Sequence, residues 1–319
     1  MAKRKKGPKE NRPGGGDPIP LHPRAMEKEI QELGRQLEGK EFESIEEAQA
    51  FLEEMLASGE GLQPIPATPS TPLEKAQDLV YQAFETESHR KRVQLAKKAL
   101  KVSSDCADAY VLLAEETATD PGEAREFYER GVKAGERALG EEAFEEDAGY
   151  FWGILETRPY MRARQGLALS LWELGERRQA VDHYQEMLRL NPNDNQGIRY
   201  LLATALLEEG SDQELKELLD RYEDDAGATW LYTKALWTFR TQGSTEEANG
   251  ALREAMAFNA FVPEYLLGER SMPGALPHLV GFGDESEAAV YFVEALPGWL
   301  KTSGAIEWLR TNAPRRMEE

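Results

Sequence analysis

The chain has 319 residues, enough for two ordinary domains or one elongated repeat array. Its 58 acidic and 38 basic residues leave a formal net charge of −20, which favours solubility and opposes general attraction to nucleic acid or anionic lipid. A single cysteine, Cys106, excludes an intrachain disulfide and a zinc site built from several thiolates, and no apolar run approaches the roughly 20 residues of a membrane span.

Residues 1–23 read as a disordered basic tail, with Lys3-Arg4-Lys5-Lys6 ahead of a glycine- and proline-rich run. No apolar stretch follows, so the tail is not a secretory signal and a cytoplasmic location is expected. The cluster is short and has no aromatic residues to stack on bases, so it reads as a solvated tail. Residues 24–58 predict a helical hairpin. Its first helix places Met26, Ile30, Leu33 and Leu37 on an inner face and ends at Gly39. Its second opens on the capping pair Ser44 and Glu47 and turns Ile45, Ala48, Leu52 and Met55 inward. Two short helices bury little by themselves, so the pair is expected to dock on the rest of the chain. Residues 59–72 carry Pro64, Pro66, Pro69 and Pro72 and read as an extended linker.

Residues 73–262 show a repeat. Its clearest unit is Met161–Asp194, where Leu167, Leu171 and Leu174 are spaced for one helix and Ala180, Tyr184, Met187 and Leu188 for a second. Gly175 sits in the break between them, and Asn191-Pro192 ends the second helix because proline cannot continue the hydrogen-bond ladder. A small residue where the helices cross, an aromatic four later and a terminal proline resemble the tetratricopeptide pattern, which has this 34-residue period. Windows at 195–228 and 229–262 keep the register, the first with Glu214 in place of the small residue, the second with Ala248, Leu252 and Ala255. Upstream, Leu73–Cys106 fits through Ala76, Leu79, Ala83, Ala96 and Ala99, and a further hairpin starts at Ala107.

An insertion at about 136–160 breaks the step. It is acidic first and aromatic later, through Tyr150-Phe151-Trp152, and reads as a helix extension or buried lid, with a partner-contacting loop as the alternative. Residues 263–311, with capping pair Asp284 and Glu287 and with Trp308 in the last helix, suit a C-terminal helical cap, followed by a tail at 312–319. The fold class predicted is therefore all-α: a right-handed α-solenoid of tetratricopeptide-type hairpins with helical N- and C-terminal flanks.

Several stretches are more specific than a generic repeat: Cys106–Glu116, Val132–Glu136, Phe258–Leu267, Gly283–Tyr291, Trp299 and Gly304–Leu309. On these the chain resembles the suppressor-of-tumorigenicity family of tetratricopeptide-like proteins, across about two thirds of its length. The resemblance implies an α-helical repeat fold and a role in protein interaction or regulation, and supplies no catalytic residues. Eukaryotic members are membrane-associated through apolar N-terminal segments, which the basic tail here does not resemble.

The four histidines, His22, His89, His183 and His278, form no metal-ligand spacing, and neither a phosphate loop nor a nucleophile elbow is present. No enzyme activity, cofactor or metal is expected. The surface of interest is the concave one, lined by the first helix of each hairpin. Counting from Met161, the inward positions give Arg162, Gln165, Leu169, Trp172 and Glu173, then Gln196, Arg199, Ala203, Leu206 and Leu207, then Trp230, Thr233, Trp237, Arg240 and Thr241. Arginine and tryptophan dominate binding hot spots. Residues 156–199 hold seven arginines against six acids in an otherwise acidic chain. The binding residues predicted are Arg162, Gln165, Trp172, Arg199, Trp237 and Arg240, with the arginines on a solvated surface. The function predicted is a non-enzymatic adaptor holding a peptide or helix of an unknown protein partner, with no specific nucleic acid and no membrane span. The alternatives are a self-associating array and a platform whose tail or cap binds nucleic acid.

Overall fold

Five consecutive helical hairpins make up the body of the chain. They are α1 (Pro72–Phe84) with α2 (His89–Val102), α3 (Ala107–Thr117) with α4 (Pro121–Glu146), α5 (Arg158–Glu173) with α6 (Arg177–Leu190), α7 (Ile198–Glu209) with α8 (Asp212–Arg221), and α9 (Ala228–Gln242) with α10 (Glu246–Phe258). A short α11 (Phe261–Leu266), a long α12 (Glu285–Lys301) and α13 (Ala305–Asn312) complete it. The computed structural model describes residues 24, 26–31, 44, 47, 49, 51, 71–277 and 279–313. The basic tail, most of the second predicted flanking helix, the linker up to residue 70, His278 and the residues from 314 lie outside the described residues.

Helix starts and stops follow local chemistry. Thr71 and Glu74 form a reciprocal capping box on α1, with Pro72 at the first helical position, where its missing N–H costs nothing. The Asp120 carboxylate caps α4 by accepting from the Glu123 N–H at 3.0 Å, ahead of Pro121. Gly175 and Gly210, with φ of +80° and +72°, close the first helices of two hairpins in the left-handed region that glycine tolerates. The register of the repeat is visible as burial: Ala180, Ala248, Leu252 and Ala255 are each 0 % exposed. Where the repeat carries Glu214 instead, its carboxylate accepts from Arg178 and Gln185 of α6, both at 2.7 Å, so the position joins two hairpins by polar contacts.

Among the described residues the fold is all helical, an α-solenoid, and no helix is long and apolar enough to cross a membrane. One continuous apolar cluster runs from Val111 on α3 to Leu309 on α13, and a second fills the α1–α2 hairpin. The segment at 136–160 continues α4 through a kink at Gly140 to Glu146, then turns back over the array. Phe151 is fully buried there, edge-on to Tyr160 at 6.1 Å, and Trp152 packs against the core.

The C-terminal flank does more than close the last hairpin. α12 lies against the first helices α7 and α9. Gly298 makes this approach possible: a Cβ there would meet the Leu207 side chain at 2.9 Å. Tyr291 stacks obliquely on Tyr232 of α9 at 5.6 Å, and Lys301 reaches Glu208 of α7 at 3.1 Å. Ala203, Leu206, Leu207, Trp230 and Thr233, expected on an open inner face, are buried, Leu207 against Gly298 of α12 and Trp230 edge-on to Tyr200 and Tyr222 of the preceding hairpin.

Candidate interaction groove

The inner face of the array falls into three parts. At the N-terminal end it is covered by the chain's own residues 24–31. Arg162 on α5 places one edge of its guanidinium against Asp108 of α3 (Nε to Oδ1 2.8 Å, Nη2 to Oδ2 2.6 Å). Its Nη1 donates to both carboxylate oxygens of Glu27, at 2.9 and 3.0 Å. Arg158 approaches the same carboxylate at 3.3 Å, and the Trp152 ring lies 5.4 and 6.0 Å from the Arg158 and Arg162 guanidinium carbons. Gln77 completes the shell of Asp108 at 2.8 Å. Burial opposes charge on Asp108, but the Arg162 guanidinium outweighs it and holds the carboxyl below the usual aspartate range. Further along the segment, Arg24 pairs with Glu115 at 2.8 Å and Lys28 with Glu85 at 2.6 Å.

Two expectations change here. The Arg162 side chain is 9 % exposed rather than solvated. The docked face of residues 24–31 is the charged one, while Met26 and Ile30 are 54 % and 48 % exposed. The reason is that α3 and α5 present ion partners at this end, so the charged side gains more than the apolar side by facing them. Glu27 and Asp108 were not singled out from the sequence, and Trp152 was read only as part of the insertion at 136–160. Asp108 had a signal: it is a lone acid in the apolar run ADAYVLLA, and a buried charge in such a run needs a partner.

The middle part is open. A cleft of about 570 Å³ lies between α5, the start of α7, the start of α9 and α12. Gln165, Asn195 and Gln196 line one side; Glu287, Val290 and Glu294 of α12, with Val280 and Phe282 of the preceding loop, line the other. Both polar atoms of the Gln196 amide are buried without a hydrogen-bond partner among the described residues. Glu287 accepts from the amides of Ala228 and Gly283 at 2.9 and 2.8 Å. The Glu294 carboxyl is pushed up by burial. Arg199 lines the cleft but is held by Asp225 at 2.7 Å and Asp194 at 3.0 Å, with Tyr200 under its guanidinium at 4.3 Å.

The third part is α12's seat, described above, and two predicted residues lie beside it as links between hairpins. The Trp237 indole donates to the Asp212 carbonyl at 3.0 Å. Arg240 donates to the Leu207 carbonyl at 2.6 Å, satisfying an end of α7, and to the Asp212 carboxylate. Trp172 is half-buried beneath the Arg177 guanidinium, 3.9 Å from its ring centre. Of the six predicted residues, Gln165 and Arg199 meet at the open cleft, Arg162 sits in the covered N-terminal part, and Trp172, Trp237 and Arg240 lie apart from both.

Several known proteins are similar to this chain. A suppressor of tumorigenicity 7 protein-like sequence of Homo sapiens is 30% identical over 241 residues, covering 69% of this chain and 42% of its own length. That of Gallus gallus is 28% identical over 265 residues, 74% and 46% of the two chains, and the suppressor of tumorigenicity 7 protein of Macaca fascicularis is 29% identical over 257 residues, 72% and 48%. The chain thus spans less than half the length of these relatives. Among solved structures, YrrB, described as a TPR protein with an unusual peptide-binding site, aligns with a TM-score of 0.42 and 20% identity over 66% of this chain and 92% of its own. The match to the ST7 protein family extends over residues 46–314, and the chain belongs to that family.

Proposed function

We propose that the chain is a non-enzymatic adaptor that holds a segment of a partner protein on the inner face of its helical array. The observation that carries this reading is the open cleft, about 570 Å³ between hairpins that are otherwise packed face to face. Its lining offers what an extended peptide backbone uses: the amides of Gln165 and Asn195 beside the apolar Val280, Phe282 and Val290, with the Gln196 amide buried in its wall and without a partner among the described residues. The role is proposed for the cytoplasm, a setting with which a single free cysteine, the buried Cys106, is compatible.

The test is site-specific photo-crosslinking in the native cell. A photoreactive residue in place of Gln196 or Thr229 should capture one protein, and the same residue in place of exposed Lys216 on α8 should not. Equal capture at all three positions, or none, would sink the reading. A second reading, self-association, is favoured by the exposed loop residues Leu279 and Phe282, 87 % and 81 % accessible, the latter lining the cleft. It requires the mass measured by light scattering to rise with concentration and to stop rising in Leu279→Ser/Phe282→Ser.

A further inference from the structure

The placement of residues 24–31 reverses the usual logic of a docked helix. Burial against an array is normally led by apolar side chains. Here Met26 and Ile30 face solvent, and the residue taken out of water is Glu27, 6 % exposed. A carboxylate buried without partners is costly, so its surroundings must be built to receive it. They are. Arg162 turns its Nη1 to both oxygens of Glu27 while Asp108 holds the Nε–Nη2 edge, Arg158 adds a second guanidinium at 3.3 Å, and Trp152 lies beneath both. Asp108 orients Arg162 whether or not Glu27 is present, since its two bonds use different nitrogens, Nε and Nη2. Taking Glu27 away leaves Arg158 and the Arg162 Nη1 facing one spot, with one positive charge in excess over Asp108. The receptor therefore belongs to α3 and α5, and Glu27 is its ligand.

The flanks of that ligand are read as well. Arg24, three residues before Glu27, pairs with Glu115 through both guanidinium ends and lies 4.6 Å from the Phe84 ring centre. Lys28, one residue after, pairs with Glu85. The three contacts alternate in sign along the groove, so a segment of the same length with another charge order meets like charges. The two flanking pairs are partly wetted, individually weak and screened by salt, so the ends of the segment open readily and let the occupant exchange.

We infer that Arg158, Arg162 and Trp152 form a carboxylate-binding site at the N-terminal end of the groove, and that Glu27 fills it in cis. A helical partner segment with a glutamate, a basic residue three before it and another directly after takes the same seat by displacing residues 24–31. This deepens the adaptor reading by giving one part of the groove a ligand chemistry and a built-in competitor. A tethered competitor acts at an effective concentration on the order of millimolar, which masks the site from any weaker ligand in solution.

The experiment uses the full chain and a fluorescein-labelled peptide of residues 22–33, followed by fluorescence anisotropy. Glu27→Ala should bind the peptide at least about ten-fold more tightly than the wild type, because the tethered competitor is disabled. A peptide with glutamine at the Glu27 position should lose that gain, and so should the double variant Glu27→Ala/Arg158→Ala, which leaves the Arg162–Asp108 pair intact. Affinity for Glu27→Ala should fall as salt rises. Equal binding by wild type and Glu27→Ala, no binding by either, or equal binding of the glutamate and glutamine peptides would overturn the inference. The adaptor reading fails separately: crosslinks absent at Gln196 with peptide binding intact refute the open cleft alone, and the converse refutes the cis-filled site alone.

Discussion

Gly135 on α4 faces Tyr160 on α5, and the array depends on how closely these two helices meet. A methyl group at Gly135 would lie 2.8 Å from Tyr160 Cβ, 3.0 Å from Cδ2 and 3.2 Å from Cα. Carbon atoms in ordinary contact stand about 3.5–4.0 Å apart, so α4 and α5 must separate by roughly 0.7–1 Å. No rotamer of Tyr160 relieves this, because Cα and Cβ do not move with χ1. The ring is itself fixed, 1 % exposed and edge-on to Phe144 at 5.0 Å. Overpacking of this kind costs about 1–3 kcal/mol. The helix-propensity gain of replacing glycine returns about 1 kcal/mol. Because neither Cα nor Cβ can rotate away, the strain lies at the upper end of that range, so Gly135→Ala should lose about 2 kcal/mol net, a fall in Tm of roughly 4–8 °C for a domain of this size. Gly250→Ala in α10 is the matched control, since a methyl there meets only the Arg253 Nη2 at 3.7 Å. It should melt at or slightly above wild type. Thermal melting followed by circular dichroism decides it: if Gly135→Ala melts as high as wild type, or both variants shift alike, the close approach of α4 and α5 is not what glycine is there for.

Ala180→Leu should lower stability by about 1–3 kcal/mol by overfilling a fully buried position. Trp237→Ala should also lower the melting temperature, by no more than the about 3–5 kcal/mol of a fully buried tryptophan; an unchanged melt would show that its bond to Asp212 holds nothing. Asp108→Asn should destabilise at neutral pH, by less than the about 3–5 kcal/mol of an orphaned buried charge, because Glu27 still pairs with Arg162. Because the folded-state pKa of Asp108 is lowered, its contribution is complete above the ordinary aspartate value of about 3.9 and is lost as pH falls through the lower folded value. The melting gap between wild type and variant should accordingly narrow below about pH 4, and a gap that stays constant would contradict the ion pair. Cys106, 0 % exposed with its thiol pushed up to about 12, should resist a thiol reagent at pH 8 in the folded chain and react fully in denaturant.

Reading the helices from sequence worked because each is specified by residues close in the chain. The spacing of Leu167, Leu171 and Leu174, the turn at Gly175 and the stop at Asn191-Pro192 are local facts, and α5 and α6 follow them. Stepping that unit along the chain locates the neighbouring hairpins for the same reason, since each repeat buries its apolar stripe mainly against the next. Repeat position also says which residues face inward. It does not say what lies over them. Arg162 meets Glu27, 135 residues away, and Leu207 lies under Gly298 of α12. Both partners come from flanks whose own sequences hold no repeat register, so no periodicity connects them to the groove. The sequence thus determined the hairpins and their order. Only the tertiary structure decided which part of the inner face is covered by the N-terminal segment, which by α12, and which remains open at Gln165 and Gln196. Those outcomes depend on long-range ion pairs and close backbone approaches, and neither is encoded in the spacing of apolar residues.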